Sequence, residues 1–113
     1  MHEVGIMQNT LAMALDAAER QGGRHIHRIR MRVGAMSGVV RDALQFAFEV
    51  ATPGTIAEGA RLDVDEVPVG CRCRSCGREF EPGTAAFECP GCRGTDLELC
   101  RGREIELASL EVS

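Results

Sequence analysis

Along residues 4 to 21 the apolar side chains Val4, Met7, Leu11, Ala14, Leu15 and Ala18 recur at steps of three and four, which builds one face of an α-helix. Gln8, Asp16, Glu19 and Arg20 fall on the other side, and Gly22-Gly23 supplies the expected C-cap. From His25 to Val33 the period changes to two. Ile29, Met31 and Val33 point one way and Arg28, Arg30 and Arg32 the other, as in a half-buried strand. His25 and His27 share the apolar phase at the start of that strand, where partly exposed edge histidines are the simpler reading. Gly34 to Gly38 reads as a turn. Val40, Leu44, Ala47, Phe48 and Ala51 then form a second helical stripe, closed by Pro53-Gly54.

A second strand follows at Arg61 to Val67, with Leu62 and Val64 opposite Asp63 and Asp65 in phase. Strand, helix, strand is a crossover, so direct pairing makes the two strands parallel. The last strand is Arg103 to Val112. Its phase slips between Ile105/Leu107 and Leu110/Val112, which predicts a bulge near Ala108-Ser109. Between these last two strands lies a segment with little apolar content and every cysteine of the chain.

All six cysteines fall between Cys71 and Cys100. Cys73-x-x-Cys76 and Cys89-x-x-Cys92 are two matched pairs, and a hairpin between them brings four sulfurs to one point. That is the tetrahedral arrangement of a closed structural Zn2+ site, with no position left for a substrate. Gly77, Gly91 and Gly94 suit the tight turns involved. A disulfide framework needs an oxidising compartment, and Met1-His2-Glu3 does not begin a secretory signal. A redox Cys-x-x-Cys more often stands alone beside a βαβ unit. Cys71 and Cys100 remain over, either as small buried hydrophobes or as alternative ligands. The fold expected is therefore α+β: two helices packed on a three-stranded sheet, with a zinc-ribbon-like domain inserted between the last two strands. Residues 1–69 with 101–113 make one domain and residues 70–100 the other.

Composition narrows the function. A net charge of −4 and a pI near 5.4 give no general attraction to nucleic acid or anionic lipid. Within the cysteine segment four arginines face four glutamates and one aspartate, and Phe80 and Phe87 are the only aromatics, so phosphate-tracking and base-stacking surfaces are both lacking. No run approaches the length that spans a bilayer, and a cytoplasmic protein is expected. No Cys/His or Ser/His pair is spaced as a nucleophile and its base, so an enzyme is not expected. A zinc-ribbon nucleic-acid module and a plain zinc-stapled adaptor stay open as alternatives.

The amino terminus carries a second pattern. With His at position two, the α-amine of Met1, the amide nitrogen of His2 and its imidazole can close adjoining chelate rings around one ion. The Glu3 amide or carboxylate is available for a fourth place. Amide donation in a planar set suits Ni2+ or Cu2+, whereas Zn2+ prefers tetrahedral thiolates. An ordinary frayed terminus is the competing reading.

Met1-His2-Glu3, the helix to Gly22-Gly23, the strand into Val33-Gly34-Ala35, Cys71-x-Cys73-x-x-Cys76, Cys89-Pro90-x-Cys92 and the closing Ile105-Glu106-Leu107 occur in an order that, over the full chain, resembles the HypA/HybF family of hydrogenase nickel-incorporation proteins. The resemblance implies a nickel metallochaperone with a nickel-binding α+β domain and an inserted zinc domain. It implies delivery of Ni2+ to the large subunit of [NiFe]-hydrogenase with a HypB-type GTPase, and in some bacteria service to urease and its accessory proteins. By the same resemblance His2 is the principal nickel ligand, with Met1 and Glu3 contributing backbone nitrogens, and Cys73, Cys76, Cys89 and Cys92 hold zinc. Glu3 and nearby helix residues would face the partner.

Overall fold

The computed structural model describes residues 3–82 and 87–113. Among them the chain forms helix α1 (Glu3–Arg20), strand β1 (Ile26–Gly34), helix α2 (Arg41–Ala51), strand β2 (Arg61–Val67), three short strands β3 (Gly70–Cys73), β4 (Glu79–Phe80) and β5 (Leu97–Arg101), and strand β6 (Ile105–Val112). Two sheets result, ordered β2-β1-β6 and β4-β3-β5. The second sheet lies in the chain between β2 and β6, so the expected insertion into an α+β body is present.

β1 is central to the first sheet, parallel to β2 and antiparallel to β6. Its inward residues Ile29 and Met31 stand level with Leu62 and Val64 of β2, and with α1 and α2 they close a core that includes Met7, Leu11, Ala14, Leu44 and Phe48. The outward arginines are matched within the sheet. Arg28 meets Asp63 at 3.2 Å and Glu111 at 3.4 Å, Arg30 meets Asp65 at 3.6 Å, and Arg32 meets Glu106 at 3.4 Å. Such exposed pairs contribute little stability each, about 0–1 kcal/mol. They leave the face balanced in charge.

The β1–β6 register shifts twice. Ser109 stands opposite Arg30 but Leu107 opposite Met31, which leaves Ala108 as the extra residue of a bulge where the phase slip predicted one. Nearer the start of β1, Ile26 faces Val112 and Arg28 faces Glu111, so His27 is extra on the other strand. This second shift corrects the apolar phase assigned to the histidines: Ile26 is fully buried and His27 is exposed. Two helical assignments change as well. Val4 is 59% exposed, and Ile6 and Thr10 take its place on the buried face of α1. Val40 is 58% exposed because α2 begins one residue later, with Val40 as its N-cap.

The body and the insert are joined by two chain segments that lie on the end of β1. The amide of Ala35 donates to the Val67 carbonyl at 2.8 Å, that of Met36 to Gly102 at 2.7 Å, and that of Gly34 to Glu104 at 2.7 Å. A Cβ on Gly34 would overlap the backbone of Gly102, so only glycine permits this crossing.

Candidate metal centre

Each Cys-x-x-Cys pair sits on a turn built twice to one plan. In the first, the amide of Gly77 donates to the Cys73 carbonyl at 2.8 Å and that of Cys73 to Arg78 at 2.9 Å. In the second, Arg93 donates to Cys89 at 2.8 Å and Cys89 to Gly94 at 2.9 Å. The residue after the second cysteine of each pair is left-handed, Gly77 at φ 79° and Arg93 at φ 62°. β3 and β4 support the first turn, and the chain running into β5 closes the second, with the amide of Arg74 donating to the Asp96 carbonyl at 2.9 Å. Arg72 on β3 is paired with Glu98 on β5, and Arg74 with Asp96 at 3.0 Å.

The two turns face each other and their sulfurs converge. Cys73 Sγ lies 3.6 Å from Cys92 Sγ, Cys76 Sγ lies 3.5 Å from Cys89 Sγ, and all four fall within 4.8 Å of one another. A tetrahedron of sulfurs around an ion at about 2.3 Å has edges of about 3.8 Å. The cluster fits such an ion. Cys73 and Cys89 are buried, while Cys76 and Cys92 are exposed, so the site is closed by four thiolates yet lies near the surface. Among the described residues no other group of three or more such side chains converges in this way.

The sulfurs are also prepared for a cation. The amide of Gly91 donates to Cys89 Sγ and that of Gly94 to Cys92 Sγ, each at 3.4 Å. Hydrogen bonding from the Cys92 amide, then from Gly91, outweighs desolvation and holds the Cys89 thiol down to about 6. The Cys76 amide likewise lowers Cys73. The Gly94 amide acts to lower Cys92, but its side-chain hydrogen bond with Cys73, desolvation and the other two sulfurs prevail and push it up to about 11. Four adjacent thiols cannot all ionise unaided. A divalent ion supplies the missing charge.

Cys71 and Cys100 lie outside the cluster. Cys71 on β3 is buried opposite Phe80 and Leu99. Cys100 is exposed, skipped by the register shift between Gly70 and Cys71.

The other predicted site is only partly within view, because Met1 and His2 lie outside the described residues. Glu3 opens α1, and its Oε2 accepts the Val40 amide at 2.9 Å, so a carboxylate at the start of one helix caps the start of the other. Sequence reasoning missed this contact. The exposed apolar residue at the α2 N-cap, where Ser, Thr, Asp or Asn is usual, was the available signal.

The family profile described as "Hydrogenase/urease nickel incorporation, metallochaperone, hypA" matches residues 1–112. A protein of Picosynechococcus sp. named hydrogenase maturation factor HypA is 50% identical over 112 residues, covering 99% of each chain. A protein of the same name from Roseiflexus sp. is 42% identical, covering 98% of this chain and 91% of its own. In fold, the solution structure of the Ni metallochaperone HypA from Helicobacter pylori superposes with a TM-score of 0.72 at 24% identity, over 99% of this chain and 97% of that one. A second solution structure of a HypA protein gives 0.81 at 24% identity, over 100% and 97%. With the profile matched from end to end and half the residues shared with a relative of equal span, this chain belongs to the HypA family.

Proposed function

We propose that this protein is a nickel metallochaperone of hydrogenase maturation, which binds Ni2+ as cargo and passes it to the nascent enzyme. The observation that carries this reading is the match of residues 1–112 to a family of nickel-incorporation metallochaperones. The site chemistry agrees. The four-cysteine cluster suits a structural Zn2+ and leaves that ion no exchangeable position, so the cargo needs a different site. The Met1-His2-Glu3 segment offers one: the α-amine, the His2 imidazole and the amide nitrogens of His2 and Glu3, a set that favours Ni2+. The α-amine and both amide nitrogens must shed protons to bind, and a partner can compete for the ion one ligand at a time.

In this reading the protein is a carrier and not a catalyst. Residues 1–69 and 101–113 act as the nickel-binding domain and residues 70–100 as the zinc domain. A HypB-type GTPase and the large subunit of [NiFe]-hydrogenase are the partners, with urease accessory proteins as further recipients. The cytoplasm is the place of action, and no helix among the described residues is long and apolar enough to cross a membrane.

The test is metal analysis of untagged protein after adding Ni2+, with one zinc and one nickel per chain expected. His2→Ala, or one residue added before Met1, should abolish nickel binding and leave zinc and fold intact. Stoichiometric nickel retained by either variant would rule out the terminal site.

A further inference from the structure

Of the chain's three histidines, two stand ring against ring outside the four-cysteine cluster. The His25 and His27 rings have centroids 4.5 Å apart and planes at 68°. They sit where α1 ends and β1 begins. Glu3 is at the opposite end of α1, whose 18 residues span about 26 Å at 1.5 Å each.

The separation of the rings leaves room for two imidazoles to share an ion. An ion about 2.0–2.1 Å from one nitrogen of each ring stands roughly 3.2 Å from each ring centre, and two such rings whose bonds meet at the ion at a right angle have centres about 4.5 Å apart. The backbone beneath them is pinned. The His25 carbonyl accepts the Ser113 amide at 3.0 Å, while the amides of Arg24 and His25 donate to the Ser113 carbonyl at 2.7 and 3.3 Å. The bulge at His27 interrupts the alternation that would otherwise place His27 on the inner face.

A second contact points the same way. His27 Nε2 lies 2.7 Å from Ser113 Oγ. In the tautomer that donates Nε2–H to this hydroxyl, Nδ1 carries a free lone pair. Metal-binding histidines are ordinarily oriented by just such an oxygen on the second nitrogen. His25 is half-buried and His27 exposed, so water can fill the remaining positions. Arg28, the nearest cation along β1, is neutralised by Asp63 and Glu111.

We propose that His25 and His27 form a second, weaker cation site, open on one side and filled by Cu2+ or Ni2+ ahead of Zn2+, with Ser113 as the positioning residue for His27. The order follows the usual preference of imidazole sites. With only two protein ligands the site binds more weakly than the closed four-thiolate cluster. The site does not depend on where the cargo nickel sits.

The experiment uses the untagged, zinc-loaded full chain carrying His2→Ala, titrated with Cu2+ and followed by amide NMR line broadening. Broadening centred on residues 24–28 and 112–113 at one equivalent is expected. The added substitutions His25→Gln and His27→Gln should weaken it at least tenfold, and Ser113→Ala a few-fold. Broadening that is no stronger there than at the acidic surface, or that survives the double substitution, overturns the proposal. Should the double variant misfold, the ring nitrogens decide: added Zn2+ must shift His27 Nδ1 in the His2→Ala protein, and an unmoved Nδ1 sinks the site.

Discussion

Arg93 occupies the left-handed position that Gly77 fills in the matching turn. A side chain costs about 1–2 kcal/mol in that conformation, partly offset by the greater freedom of an unfolded glycine. Arg93→Gly is therefore expected to stabilise the zinc-loaded protein by about 1 kcal/mol, seen as a Tm raised by a few degrees. An unchanged or lower Tm would mean that the arginine side chain contributes more than its backbone costs. Glu104 presents the opposite case, a side chain fitted to its place. Its carboxylate accepts the Gly102 amide at 2.6 Å, and that bond, chiefly, holds its pKa below the ordinary carboxylate value. A depressed pKa gives stability that is present above the unfolded value, near 4.3, and lost as pH falls through the folded one. Glu104→Gln should flatten this part of the acid limb, so that variant and parent draw together in stability as pH falls below the unfolded carboxylate value. A gap between them that stays constant from pH 7 to pH 3 would count against this role.

At the scale of elements, the crossing of Gly34 and Gly102 decides where the insert is held. Gly34→Ala forces a methyl into the Gly102 backbone and should cost about 1–3 kcal/mol in urea unfolding, as overpacking does. A loss below about 0.5 kcal/mol would show that the segment shifts freely. How much of this was legible beforehand varies by element. The bulge at Ala108 showed itself because apolar residues flank it and their phase slips. The bulge at His27 did not, because histidine is compatible with either face and only Ile26, one residue away, marks the true phase. The parallel β1–β2 pairing followed from the intervening helix. The N-cap of α2 was hidden, since Val40 extends an apolar stripe while its amide is satisfied by Glu3, distant in sequence. The four cysteines could be grouped from spacing alone. That the two turns share one hydrogen-bond plan, with arginine in the place of one glycine, required coordinates.

The molecule as a whole measures 54 × 26 × 17 Å, with a radius of gyration of 17.7 Å. A compact chain of this length would have about 13 Å. The length comes from a body with a core and an insert almost without one. The main cluster of buried residues lies wholly in α1, β1, α2, β2 and the loop between α2 and β2. Of the insert's described side chains, the buried hydrophobic ones are Cys71, Cys73 and Cys89. Stability of the insert must therefore come from its metal. Removing zinc with a chelator is expected to erase amide-exchange protection across residues 71–100 while β1, β2 and α1 keep theirs. Uniform loss along the chain would instead show one cooperative unit.

The insert also leaves the body where it enters. Gly70, its first residue, stands opposite Arg101, the residue that follows its last, across β3 and β5. A segment whose ends meet can be gained, lost or exchanged without stretching the strands on either side, as a loop on a hairpin can. The spacing between β2 and β6 is thus free of the insert's length, and the metal-bound portion can diverge in size and surface at its own pace while the α+β body keeps its register.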